Sequence, residues 1–130
     1  MKIPFNKLII HYPDIGNNNA QGNNPEQIGI CQLVQIQNLT NMLFIDLAEK
    51  IKPFLNIESN NPSLIAIKKY FKLGVEGIYT YNANDGKNIV LVKFQNKFIV
   101  QDGNHRVLAL ILLGENSLEI GRGNSKIINL

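Results

Sequence analysis

The sequence predicts a small α+β domain around one sheet, and three observations carry that expectation. Two β-branched and aromatic runs, Ile89-Val90-Leu91-Val92 and Phe98-Ile99-Val100, flank a short polar connection at Gln95-Asn96-Lys97 and read as an antiparallel hairpin. Two upstream segments, Met42 to Ile51 and Pro62 to Gly74, space their apolar residues near three and four, as amphipathic helices do. Helices and hairpin strands are therefore mixed along the chain, without the strict alternation of a parallel α/β fold. A chain of 130 residues supports a single domain, 1–130, that buries roughly two-thirds of its unfolded surface.

From the N-terminus, the apolar stretch Leu8 to Ile10 is broken by His11 before Pro13, which reads as a strand end. It is too short for a signal-peptide core or a membrane span, so a cytoplasmic protein with no membrane contact is expected. Pro13, Gly16, Asn17 to Asn19, Gly22, Asn23, Asn24 and Pro25 make residues 13–29 a long, mobile loop with little to bury. Ile30 to Ile36 alternates as a short strand. Asn38 or Thr40 can cap the helix that carries Met42, Leu43, Ile45, Leu47, Ala48 and Ile51 and ends before Pro53.

Pro62-Ser63 opens the second helix, with proline where a missing N–H costs least. It runs through Leu64, Ile65, Ile67, Tyr70 and Phe71 to Gly74, with Lys68, Lys69 and Lys72 on the other face. Ile78 to Tyr81 reads as a strand, and Asn82 to Asn88 as a loop holding Asp85-Gly86. After the hairpin, Val107 to Leu113 forms a helix stopped by Gly114. Leu118 to Ile120 and Lys126 to Ile128 bracket the turn Gly121-Arg122-Gly123-Asn124 as a last pair of strands.

Cys31 is the one cysteine, which excludes a disulfide framework and a cysteine-rich zinc site and suits a reducing compartment. Within its apolar run it reads as a small core residue. The net charge of +3 is spread along the chain, so it reads as a solvated surface that permits nucleic-acid contact without arguing for it.

The chemistry concentrates in Gln101-Asp102-Gly103-Asn104-His105-Arg106, between the last strand of the hairpin and the apolar helix. A helix start presents N–H groups without intrahelical partners and the positive end of the dipole. Gly103 allows close backbone approach to a phosphate, and His105 and Arg106 add donors, so the turn reads as an anion cradle. Asp-Gly-Asn-His-Arg resembles the Asp-Gly-x-His-Arg signature of the ParB/sulfiredoxin superfamily, best over about residues 74–114. Gly74-Val75-Glu76-Gly77-Ile78 is similar to that superfamily's Gly-x-x-x-Pro segment, with Ile78 where proline is usual.

The resemblance implies a ParB/sulfiredoxin-like fold and a site for the phosphates of ATP, ADP or CTP with Mg²⁺. Gly74, Gly103, Asn104, His105 and Arg106 would bind the nucleotide. Asp102 reads either as the Mg²⁺ ligand and a catalytic group or as a helix N-cap. His105 is a candidate proton shuttle and Glu76 a candidate acid. Arg106 offers a planar fork for phosphate oxygens, or an ion pair with Asp102 or Glu76 that locks the turn. Asn104 stands where sulfiredoxins carry their reactive cysteine, so sulfinic-acid reduction lacks its nucleophile. Asp46 and Glu49 share a helix face as solvated carboxylates, and Gly121-x-Gly123 reads as a turn.

Three functions follow. The first is a nucleotide-binding domain, as a phosphotransferase or an NTP-hydrolysing switch. The second is a DNA-associated ParB-like module, although the helix-turn-helix domain of partition proteins does not fit in the short stretch between Gly114 and Leu130. The third is a protein-interaction domain in which the motif is a structural turn.

Overall fold

A computed structural model of the chain describes residues 1–9, 43–81, 88–94 and 97–129. The expected loop 13–29, the strand from Ile30 to Ile36, the caps Asn38 and Thr40, and His11 and Cys31 lie outside the described residues, as does the loop 82–87. The described elements run β1 (Lys2–Pro4), β2 (Leu8–Ile9), α1 (Phe44–Ile51), α2 (Pro62–Thr80), β3 (Ile89–Phe94), β4 (Lys97–Asp102), α3 (Asn104–Leu112), β5 (Ser117–Glu119) and β6 (Ser125–Asn129). This is an α+β domain.

The sheet order is β2-β4-β3-β6, with β3 and β4 antiparallel as the hairpin pattern predicts and the two outer pairings parallel. β1 and β5 form a separate antiparallel pair, with Ile3 opposite Leu118. The two C-terminal strands expected as a pair thus have different partners: β5 joins β1, and β6 adds to β3.

α2 is held at its start by Asn61, whose side-chain oxygen accepts from the N–H groups of Ser63 at 2.9 Å and Leu64 at 3.2 Å. Its apolar stripe divides. Leu64, Ile67 and Tyr70 enter the core, whereas Ile65 and Phe71 face outward. The strand expected at Ile78 to Tyr81 is instead mostly helix: Gly74, at φ 76° and ψ 175°, breaks the helical path, and the chain resumes helix through Thr80. Ile78 and Tyr79 are buried by that turn, so tertiary burial overrides their β propensity.

α3 ends as its sequence predicts. Gly114, at φ 94°, donates to the Ile111 carbonyl at 3.0 Å, and Glu115 donates to the Leu110 carbonyl at 3.1 Å, which together satisfy the last turn in a Schellman arrangement. Val107, Leu108, Ala109 and Leu110 pack with Leu47 of α1, Ile67 of α2 and Leu91 of β3 in one core. Among the described residues no helix is long and apolar enough to cross a membrane.

Candidate functional site

β4 delivers the chain to the motif and α3 carries it away. Between them Gly103 takes the N-cap position at φ 87° and ψ 25°, a left-handed conformation that L side chains resist. A Cβ there would lie 3.1 Å from the Cα of Ile89 on β3, so glycine is required by the packing of the turn on the sheet. The N-cap role left open for Asp102 falls to Gly103. Asp102 instead ends β4, exposed, with its Oδ1 accepting from the Gly103 N–H at 2.8 Å.

The next three residues form the first turn of α3 and are all buried. His105 shares a 2.8 Å hydrogen bond between its Nε2 and the Oγ of Ser63, at the start of α2. Arg106 donates from Nη2 to the Asn88 carbonyl at 2.8 Å, which ties α3 to the entry of β3. Asn104 is 6% exposed, and its Oδ1 has no hydrogen-bond partner. Buried polar atoms are almost always paired, so this oxygen is the anomaly of the turn.

Ser63 was legible in the sequence only as a helix opener, and 42 residues separate it from His105. A serine beside a histidine suggests an activated nucleophile, but Ser63 is 0% exposed and its hydroxyl is held between the starts of α2 and α3. The pair acts as a clasp between two helix starts.

The other predicted site residues lie in a different setting. Gly74 is the break in α2, and a Cβ there would meet nothing within 4 Å. Glu76, on the turn after the break, accepts from Arg122 Nη2 at 2.6 Å, and Arg122 also donates to Glu119 at 3.4 Å. The predicted turn at Gly121-x-Gly123 is present, with both glycines at positive φ, and Arg122 within it pairs with Glu76 and Glu119. Its guanidinium lies 4.3 Å from the centre of the Tyr79 ring. Asp46 and Glu49 are exposed on α1, as expected.

Burial pushes the Tyr79 hydroxyl above the ordinary tyrosine range, opposed by the Glu119 N–H that it accepts at 3.0 Å and by the Arg122 charge. Arg122 is itself held further toward its charged form by Glu76. For Tyr79 the sign follows from the folded state holding its proton more tightly than the unfolded chain. Its contribution to stability is complete below about pH 10 and is lost as pH rises through the folded value. An ultraviolet titration is expected to contain a phase that ionises above the ordinary tyrosine range, and Tyr79→Phe to diminish it.

Among the described residues no three His, Cys, Asp or Glu side chains cluster to hold a metal ion. At the turn itself Asp102 presents one exposed carboxylate, and a Mg²⁺ takes one or two carboxylates when its other ligands come from elsewhere. Comparison with protein-family models, with curated proteins and with solved structures gives no match.

Proposed function

We propose that the start of α3 binds the phosphates of a nucleotide, ATP, ADP or CTP, with Mg²⁺ carried on the nucleotide and met by Asp102. The observation that carries this reading is the buried, unpartnered Asn104 Oδ1 in the first turn of a nine-residue helix. The first-turn amides lack acceptors within the helix, so they and the dipole favour an anion, while a lone carbonyl oxygen needs a donor. A nucleotide offers both, as phosphate oxygens beside a ribose hydroxyl or a metal-bound water. The resemblance of Asp102 to Arg106 to the ParB/sulfiredoxin signature supports the same ligand. His105 and Arg106 then serve chiefly as positioning residues, through Ser63 and Asn88, and Gly103 keeps the turn against β3.

Calorimetric titration with ATP, ADP, CTP and inorganic phosphate, with and without Mg²⁺, tests it. Asn104→Ala is the informative variant, because it removes an unsatisfied polar atom and is expected to leave the melting temperature unchanged or raised. The same change is expected to weaken nucleotide binding about threefold to tenfold, the value of one hydrogen bond. No heat with any of the four ligands at millimolar concentration would reject the reading, as would wild-type affinity in Asn104→Ala.

A second reading rests on the Ser63–His105 and Arg106–Asn88 bonds: the motif is a structural clasp and the domain binds another protein. It predicts no nucleotide binding, and loss of stability in Ser63→Ala without loss of any ligand. The DNA-associated alternative would appear as a salt-dependent mobility shift.

A further inference from the structure

Past α1 the chain tightens into a 3₁₀ turn, Lys52–Asn56, with Pro53 in its first positions, and then passes beside α2. A groove of about 590 Å³ opens there, within the size range of small-molecule sites. Its apolar lining is Leu55, Ile57 and Phe71, and the last two are 55% and 36% exposed, large apolar side chains left against water. Lys52, Lys68 and Lys72 line the same groove against one acid, Glu58. Lys68 donates to the Ile57 carbonyl and so holds the segment beside α2. Lys52 and Lys72 are exposed, and neither has an ion-pair partner among the described residues.

We propose that this groove binds a small anionic amphiphile, an acyl carboxylate whose tail covers Leu55, Ile57 and Phe71 while its head lies between Lys52 and Lys72. Apolar surface favours the tail by removal from water. Two uncompensated ammonium groups select an anion over a cation or a neutral head. The site shares no residue with the start of α3, so its test is independent of nucleotide binding.

The probe is decanoate below its micelle concentration, followed by calorimetry and by amide shifts in a ¹⁵N-labelled sample. Expected are saturable binding and shifts confined to residues 52–58 and 68–72. Decyltrimethylammonium and decanol are expected to bind about tenfold more weakly, as is decanoate to the Lys52→Glu, Lys72→Glu double variant, from the loss of charge-assisted contacts. Phe71→Ser, at an exposed position, is expected to weaken decanoate while leaving the melting temperature in place. Equal affinity for decyltrimethylammonium would overturn the proposal by showing no selection of charge. Shifts elsewhere, no saturable binding, or saturation of the groove only by an acidic apolar peptide would overturn it as well.

Discussion

Leu110→Ala is expected to lower the stability of the domain by about 2 to 5 kcal/mol, the range for removing a large buried aliphatic side chain and leaving its cavity. Leu110 is 0% exposed, and α3 packs against both α1 and α2, so no single neighbour can move to fill the space. Urea unfolding with an unchanged slope and a lower midpoint would register the effect as stability alone. Ile65→Ala is the control. That residue is 55% exposed on α2, so its truncation is expected to change stability by no more than about 0.5 kcal/mol. An unchanged midpoint in Leu110→Ala would mean that α3 does not bury this face.

The contrast between Leu110 and Ile65 shows where the sequence is readable. Around the hairpin and α3, local signals agree: β-branched runs, a polar connection, a glycine in the left-handed region at each end of the helix, and a continuous apolar run between them. Upstream they conflict. Ile78 and Tyr79 have strand-like side chains, yet they close a helical turn, because burial against the core outweighs a propensity difference of about 1 kcal/mol. Ile65 and Ile67 are equally apolar, and only the packing of α2 against α3 decides that one is buried and the other exposed.

The site divides in the same way. The motif residues are consecutive, so their place at a strand–turn–helix junction was legible. The partners of His105 and Arg106 were not, since Ser63 and Asn88 reach them through tertiary packing and carry no pattern of their own. Glu76 stood out within the Gly74-to-Ile78 segment, and its tie to Arg122 depends on how the β5–β6 turn meets α2.

That meeting point makes Gly123→Ala the sharpest test of the C-terminal architecture, with an expected loss of about 2 to 4 kcal/mol from steric overpacking and left-handed backbone strain together. Gly123 sits at φ 58°, and a Cβ there would fall 2.0 Å from the Tyr79 carbonyl oxygen and 2.9 Å from its carbon. The obstacle is backbone, so no side-chain rotation relieves it. Neither partner yields easily. Tyr79 is fixed by the Glu119 N–H on its hydroxyl and by Arg122 over its ring, and the turn is closed by Ser125 Oγ, whose one O–H is shared between the Glu119 carbonyl at 2.5 Å and the Arg122 carbonyl at 2.7 Å. Gly121→Ala separates the two causes. At φ 92° it carries the same kind of backbone strain, but a Cβ there would meet nothing within 4 Å, so about 1 to 2 kcal/mol is expected. A larger loss at Gly123 than at Gly121, measured by denaturant midpoint, would locate the excess in the contact with Tyr79. Equal losses would mean that the turn and the end of α2 are not locked together, and that β6 reaches β3 without the support of Tyr79.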